Sequence, residues 1–240
     1  MFAAIDIGNT RAKLGLFKND KLVEVHSFEN LYELKTVLDD LVIDKIIIAS
    51  VKQSYDEILK VLNLKDDVLL LSSTTRLPFR NKYTSATLGI DRIALIAGAQ
   101  VRYPSTKCLV IDVGTCITYD YINEQAEYLG GAISPGKEMR FKSLHNFTAR
   151  LPLIEKDDYP LNEWLGNSTT TSIQSGVING ISGEIASFIS QYEHKFGHMQ
   201  VIITGGDAKF FESRIKATIF ALPELLLVGL NAILRHNASN

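Results

Sequence analysis

The feature that most constrains this chain is a motif that occurs twice. Residues 2–10 and 109–118 each run as an apolar segment into Asp-x-Gly, followed by small hydroxylic residues. The two aspartates, Asp6 and Asp112, lie 106 residues apart. One repeat at so long a spacing indicates two related halves rather than a solenoid. The turn Tyr103-Pro104-Ser105-Thr106 separates them, because Pro and Ser end the apolar helix-like stretch before it.

Both halves show the same predicted order of elements, three strands followed by alternating helices and strands. In the first half, the apolar patterns predict strands over 2–8, 13–18, 21–28, 45–51 and 67–72, and helices over 30–41 and 54–62. In the second half, they predict strands over 107–112, 115–122, 126–134 and 199–204, and helices over 136–149, 168–195 and 224–236. This order is typical of an α/β chain with mixed sheets. The sequence therefore predicts two domains, residues 1–106 and 107–240, which share an interface because no low-complexity linker separates them.

Composition argues against several classes of protein. The 240 residues include 25 Lys or Arg and 27 Asp or Glu, and a formal net charge of −2 does not suit binding to a nucleic-acid backbone. The apolar runs are too short to span a bilayer, and too few residues precede Asp6 for a signal peptide. Two cysteines, Cys108 and Cys116, make no disulfide framework and suit a reducing compartment. We therefore expect a cytoplasmic protein with neither a nucleic-acid nor a membrane partner.

A buried strand that stops at Asp-x-Gly has the chemistry of a phosphate-binding loop. Gly8 and Gly114 permit a tight turn and let backbone N–H groups approach a ligand closely. Thr10 and Thr115 add hydroxyl donors, and the two aspartates at the strand ends suit a hydrated cation. One such loop is also an ordinary strand-ending turn. Two loops at matching positions of similar halves favour a pair that clamps the phosphates of a nucleotide from both sides.

A rival phosphate motif fails on its chemistry. The segment from Gly131 to Lys137 matches G-x-x-x-x-G-K, but Glu138 stands where a P-loop requires Ser or Thr, and Pro135 removes an amide from the cradle. No G-x-G-x-x-G follows the first strand, so the chain lacks the anchor of a dinucleotide fold. We therefore reject both the P-loop and the dinucleotide interpretation.

Two further segments have both a structural and a functional interpretation. In Gly89-Ile90-Asp91-Arg92, which opens an apolar helix, Asp91 either suits the helix dipole or accepts a proton from a hydroxyl substrate. Arg92 is then either a solvated side chain or the anchor for a substrate anion. In Ile202-Ile203-Thr204-Gly205-Gly206-Asp207, a strand runs into paired glycines and then a helix, and the glycines either form a tight turn or let a ring or ribose lie against the backbone.

Together these motifs resemble the type III pantothenate kinase family, of the acetate kinase, sugar kinase, heat-shock chaperone and actin superfamily. The matching segments are Asp6-Ile7-Gly8-Asn9-Thr10, Gly89-Ile90-Asp91-Arg92, Asp112-Val113-Gly114-Thr115-Cys116-Ile117-Thr118, Gly130-Gly131-Ala132-Ile133-Ser134-Pro135-Gly136 and Thr204-Gly205-Gly206. They follow the family's order and cover residues 6 to 206. The resemblance implies an α/β fold of two ribonuclease-H-like (actin- and hexokinase-like) domains with an ATP cleft between them. It also implies ATP-dependent phosphorylation of pantothenate to 4′-phosphopantothenate, the first step of coenzyme A biosynthesis.

The resemblance also implies a role for individual residues. ATP, accompanied by Mg²⁺, would be bound by Asp6, Ile7, Gly8, Asn9, Thr10, Arg11, Ala12, Lys13 and Thr115. Pantothenate would be bound by Tyr83, Gly89, Ile90, Asp91 and Arg92, and by Thr169 of the second subunit of a homodimer. Asp91 would be the general base, and Asp112 would bind a monovalent cation, K⁺ or NH₄⁺. Tyr83 departs from the pattern, since it lies eight residues before Asp91 where the family has nine, and the usual proline of that loop is absent.

Two other functions are compatible with the phosphate loops. A different small-molecule kinase of the superfamily, acting on a sugar or a carboxylate, would share both loops. A non-catalytic ATP-binding regulator, or an actin-like polymer, would share them as well. The presence of Asp91 together with both loops favours catalysis over a nucleotide switch.

Overall fold

The computed structural model describes residues 1–8, 11–51, 53–64, 68–85, 87–155 and 159–238. Its elements begin with β1 (Phe2–Ile7), β2 (Ala12–Lys18), β3 (Lys21–Phe28), α1 (Leu31–Asp39), β4 (Lys45–Ser50), α2 (Tyr55–Leu62), β5 (Val68–Leu70), β6 (Arg80–Asn81) and α3 (Ile90–Arg102). They continue with β7 (Cys108–Val113), β8 (Cys116–Ile122), β9 (Glu127–Pro135), α4 (Lys137–Asn146), α5 (Thr169–Phe196), β10 (Gln200–Thr204), α6 (Ala208–Glu212), β11 (Phe220–Ala221) and α7 (Leu225–Ala238). Apart from the two-residue strands β6 and β11, the sequence predicted these elements in type and order.

The first sheet has the strand order β3-β2-β1-β4-β5. β1 pairs antiparallel with β2 and parallel with β4, and its residues Ala3, Ala4 and Ile5 are fully buried although successive side chains point to opposite faces of the sheet. Helices α1 and α2 present Leu34 and Ile58 to this sheet, where both side chains are fully buried with Ile5 and Ile48. Asn30 fixes the start of α1, because its side chain accepts hydrogen bonds from the first backbone N–H groups of the helix.

The second sheet repeats the order of the first. Its strands run β11-β10-β7-β8-β9-β6, so that β7 takes the place of β1, the parallel strand β10 takes the place of β4, and the short strand β6 is added at the edge. Helix α5 covers this sheet with Ile178, Ile181 and Ile185, which pack with Ile111 and Tyr119. Although α5 has 28 residues, neither it nor another helix in the described ranges is both long and apolar enough to cross a membrane. The repeated strand order confirms the two related halves.

By their contacts, the residues fall into two compact units that divide the chain differently from the predicted domains. The first unit contains Met1–Ser105, Ile122–Leu129 and Glu224–Asn240, and the second contains Thr106–Tyr121 and Gly130–Pro223. The sequence analysis assigned everything after residue 106 to the second domain, whereas α7 packs against α3 within the first unit. Glycines permit this close packing, since a Cβ on Gly229 would lie 1.7 Å from the carbonyl oxygen of Ala94.

Candidate active site

The first predicted phosphate loop joins β1 to β2 within the first unit. The antiparallel register places Asp6 opposite Lys13 and Ile7 opposite Ala12. Between them, the backbone N–H of Gly8 donates to the carbonyl of Arg11 at 3.1 Å, which closes a tight connection. Asn9 and Thr10 lie outside the described residues. The loop therefore brings a carboxylate and an ammonium group from neighbouring strands to its base.

The surroundings of Asp6 shift the pKa of its carboxyl. Burial raises the pKa of its carboxyl from 3.8 to about 6, Lys13 acts to lower it, and the negative charge of Asp91 raises it further. Asp6, Lys13 and Asp91 therefore interact electrostatically, although Asp91 lies on a different element. The two partly buried carboxylates of Asp6 and Asp91 repel each other, and a cation bound between them would relieve that repulsion.

Asp91 lies in the first turn of α3, as the sequence predicted. Gly89 is the residue before the helix, and no side chain caps its amide groups there. The carboxylate folds back, so that Oδ1 of Asp91 accepts a hydrogen bond from the N–H of Arg92 at 2.8 Å. A Cβ on Gly89 would lie 2.4 Å from that same oxygen. A glycine is therefore required at position 89 for this placement of the carboxylate, while Ile90 begins the helix proper.

Arg92 is buried rather than solvated, with 6% of its surface exposed. Its Nη2 donates to the hydroxyl of Tyr128 at 2.8 Å. Its Cζ lies 5.6 Å from the ring centroid of Tyr83. The structure thus places Tyr83 beside Arg92 even though the loop between them is one residue shorter than the family pattern. The sequence analysis did not predict Tyr128, because a tyrosine on an apolar strand has the appearance of a core residue.

In the second unit, three loops converge at the end of β7, where Asp112 lies. The N–H of Gly136 donates to the carbonyl of Thr115 at 3.0 Å, and the N–H of Asp207 donates to that of Val113 at 2.9 Å. A Cβ on Gly136 would lie 2.0 Å from the carbonyl oxygen of Gly114, so these loops pack backbone against backbone with no room for a side chain at position 136. The second Asp-x-Gly loop is therefore held by the Pro-Gly and Gly-Gly segments that the sequence analysis singled out.

Asp112 packs closely against the turn at Gly205. Gly205 adopts a φ of +96°, and a Cβ there would lie 2.3 Å from Oδ1 of Asp112 and 2.5 Å from the carbonyl oxygen of Val113. The turn at Gly205 therefore packs tightly against Asp112 and the backbone of Val113, and the monovalent cation expected at Asp112 stays a prediction. Within the described ranges, no group of three or more His, Cys, Asp or Glu residues is arranged to hold a metal ion. A site at Asp112 would therefore use backbone oxygens beside its single carboxylate.

A buried ion pair joins two of these loops, and the sequence analysis did not foresee it. Lys137, with 6% of its surface exposed, extends Nζ to within 3.0 Å of Oδ1 of Asp207. The same ammonium group lies 4.6 Å from the ring centroid of Phe210. The lysine that made residues 131–137 look like a P-loop is thus engaged with the residue that follows the paired glycines.

Thr169, predicted to reach a neighbouring subunit, is the first residue of α5. Ser168 precedes it and forms a reciprocal capping box with Thr171, which fixes where the helix begins. The exposed Thr169 lines an open cavity of about 700 Å³ with Arg140, Ser143 and Ser172 among its polar groups. The cavity lies wholly within the second unit.

The fold and the paired loops define a class of protein. Two ribonuclease-H-like domains, each with an Asp-x-Gly loop after its first strand, characterise the acetate and sugar kinase, chaperone and actin superfamily. Two solved structures share this fold. A conserved Baf family protein from Campylobacter jejuni is 24% identical with a TM-score of 0.65, over 99% of this chain and 100% of that one. The ADPNP-bound activator of 2-hydroxyisocaproyl-CoA dehydratase from Clostridium difficile is 16% identical with a TM-score of 0.56, over 99% and 96%.

Sequence comparison identifies the family within that class. The type III pantothenate kinase model matches residues 2–191. A type III pantothenate kinase from Flavobacterium johnsoniae is 42% identical over 250 aligned positions, which cover 100% of both chains. This chain belongs to the type III pantothenate kinase family, which confirms the resemblance drawn from its motifs.

Proposed function

We propose that this protein transfers the γ-phosphoryl group of ATP to the primary hydroxyl of pantothenate, giving 4′-phosphopantothenate and ADP. This reaction is the first step of coenzyme A biosynthesis. The observation that carries the proposal is the chain's membership of the type III pantothenate kinase family. The geometry agrees with it, because the register of β1 with β2 sets Lys13 opposite Asp6, and the negative charge of Asp91 acts on Asp6. Phosphoryl transfer requires positioned positive charge and a group that accepts the proton of the attacking hydroxyl, and these residue types supply both.

The phosphates of ATP are bound by the loop from Asp6 to Lys13, and the Lys13 ammonium group offsets part of the negative charge of their oxygens. Thr115 adds a hydroxyl from the second Asp-x-Gly loop. Mg²⁺ bound with ATP offsets the negative charge of the phosphate oxygens. Asp6 fits this role, because its buried carboxylate lies near a second carboxylate and a cation would favour its charged form.

Asp91 accepts the proton in the transfer step. The hydroxyl oxygen of pantothenate forms a bond to the γ-phosphorus in line with the departing ADP oxygen, and that oxygen keeps the electron pair of the bond that breaks. The hydroxyl proton passes to the carboxylate of Asp91. Asp91 lies in the first turn of α3, where its negative charge interacts favourably with the helix dipole.

Arg92 binds the carboxylate of pantothenate. Its guanidinium group is a permanent cation, and its burial strengthens attraction to an anion. The ring of Tyr83 faces that guanidinium group, so Tyr83 lies next to the position where the carboxylate of pantothenate would bind.

A homodimer completes the substrate site by donating Thr169 from the second copy. Support comes from the exposed position of Thr169 at the start of α5, beside an open cavity. A symmetric dimer would carry two such sites.

K⁺ or NH₄⁺ would be held by the oxygens around Asp112 and would add positive charge near the second phosphate loop. We place the enzyme in the cytoplasm, where ATP is available and where Cys108 and Cys116 stay reduced.

A panel of acceptors tests the proposal. Purified protein with ATP, Mg²⁺ and K⁺ is offered pantothenate, glucose or acetate, and products are identified by mass spectrometry. We expect a phosphorylated product from pantothenate alone. Phosphorylation of glucose or acetate without that of pantothenate would show a different kinase of the superfamily. ATP binding without phosphorylation of any acceptor would show a nucleotide-binding regulator.

A further inference from the structure

Tyr128 is fully buried in the first unit and lies at the centre of a group of aromatic rings around Arg92. Its ring is stacked with that of Tyr83 at a centroid distance of 6.0 Å and an interplanar angle of 28°. Phe79 meets it edge-on at 6.4 Å. Its hydroxyl accepts the hydrogen bond from Nη2 of Arg92 at 2.8 Å. One side chain therefore contacts both of the residues assigned to the carboxylate end of pantothenate.

Backbone hydrogen bonds also link the segment that carries Tyr83 to the strand that carries Tyr128. The two-residue strand β6 pairs parallel with the start of β9, in the register Arg80 with Glu127 and Asn81 with Tyr128. The N–H of Lys82 then donates to the carbonyl of Tyr128 at 3.0 Å. This ladder ends one residue before Tyr83, so it fixes where the Tyr83 loop leaves the strand. Because β6 ties that loop to β9, a tyrosine ring reaches Arg92 despite the shortened spacing.

The chemistry of the hydrogen bond suits a positioning role. A guanidinium group carries five N–H donors in one plane, and holding one of them sets the direction of the others. The phenol of Tyr128 is neutral, so its hydrogen bond helps to orient the guanidinium group of Arg92 and does not itself cancel the charge of that group. A carboxylate of Asp or Glu in the same place would compete with the anionic end of the substrate.

From this arrangement we infer that Tyr128 is a positioning residue for pantothenate, holding the guanidinium group of Arg92 in the plane that receives the substrate carboxylate. Tyr128 does not touch substrate and takes no part in the transfer of the phosphoryl group. The inference rests on the proposed function and adds a residue that determines recognition of the acid. It applies to acceptors with an anionic end and not to neutral analogues of the same length.

Tyr128→Phe tests the inference, because it removes the hydroxyl and keeps the ring that packs with Phe79 and Tyr83. We expect the KM for pantothenate to rise about tenfold, with kcat and the KM for ATP within about twofold of the unmodified values. Pantothenol, in which an alcohol replaces the carboxylate, should be phosphorylated with an unchanged kcat/KM. In Arg92→Lys protein, adding Tyr128→Phe should raise the KM no further, since both changes remove the same interaction.

Tyr119→Phe is the matched control. Tyr119 is also fully buried, and its hydroxyl also bonds a charged side chain, Oε1 of Glu184 at 2.9 Å, but in the second unit. Its loss should leave the KM for pantothenate unchanged. An unchanged KM in Tyr128→Phe, or an equal loss with pantothenol, would overturn the inference while the proposed function stands. Failure of the unmodified protein to phosphorylate pantothenate would instead overturn the proposed function and the inference with it.

Discussion

Asp6 should lower the stability of the protein without nucleotide, and replacing it should make that protein more stable. Its pKa is about 6 in the folded chain against an ordinary 3.8, so folding disfavours its charged form. Below the ordinary pKa the carboxyl is protonated in both states and folding costs nothing extra. As the pH rises, the cost grows to about 0.6 kcal/mol at pH 4 and about 3 kcal/mol at pH 8, and it is constant above the folded pKa. Stability is therefore lost, not gained, between pH 4 and about 7.

Asp6→Asn removes this titration while keeping the size of the side chain. The quantity to compare is the difference in the free energy of unfolding between Asp6→Asn and the unmodified protein, measured at pH 4 and at pH 8. Any constant effect of the amide is the same at both pH values and cancels. This difference should rise by about 2 kcal/mol from pH 4 to pH 8. This corresponds to about 4–8 °C in Tm for a chain of this size. Calorimetry without ATP or Mg²⁺ measures this shift in Tm. In a separate binding measurement, Asp6→Asn should no longer bind ATP.

The control for this prediction is Asp40→Asn. Asp40 is exposed at the end of α1, and its replacement should change stability by less than about 0.5 kcal/mol at either pH. If Asp6→Asn and Asp40→Asn had the same pH dependence, burial of the Asp6 carboxylate would not be the cause, and the reasoning would fail.

Three further predictions concern the second unit and the assembly. Asp207→Ala removes the carboxylate that pairs with the buried Lys137 and should lower the free energy of unfolding by about 3 kcal/mol. The control Glu138→Ala breaks the exposed pair with Lys142 and should lower it by less than about 0.5 kcal/mol. Equal losses of the two variants in urea unfolding would contradict this prediction. Turnover should be high in K⁺ or NH₄⁺ and low in Na⁺ alone, because the smaller ion matches the oxygens at the end of β7 poorly, and full activity in a sodium-only buffer would refute the cation site. Light scattering at assay concentration should find a dimer, and a fully active monomer would rule out the contribution of Thr169.

The fold could be predicted from the sequence because its signals are local and occur twice. The buried strands β1 and β7 each end in Asp-x-Gly, and the apolar patterns that follow them are clear in both halves. The placement of α7 could not be predicted in the same way. Its packing depends on Gly98 and Gly229, which are far apart in the chain and have no local pattern that pairs them. A boundary drawn from sequence alone therefore assigns this helix by position in the chain rather than by contact.

The residues of the candidate site also differ in whether a local sequence pattern could predict them. Asp6, Asp91 and Asp112 were identifiable because each belongs to a short motif at the end of a strand or the start of a helix. The partners of the cationic residues were not, since Tyr128 is 36 residues from Arg92 and sits on an apolar strand. Lys137 was likewise judged by its neighbours in sequence, while its carboxylate partner, Asp207, comes from another loop. Such side-chain pairs depend on tertiary packing, which no local pattern records.

The measurement that tests the central claim most directly is the turnover of Asp91→Asn with saturating ATP and pantothenate. If Asp91 accepts the hydroxyl proton, turnover should fall about 10²- to 10⁴-fold, or about 3–5 kcal/mol of transition-state stabilisation, with ATP affinity nearly unchanged. Asp56→Asn is the matched control, because Asp56 also lies in the first turn of a helix, α2, and its loss should affect only stability, by about 0.5 kcal/mol. Near-normal turnover in folded Asp91→Asn protein would contradict the catalytic assignment.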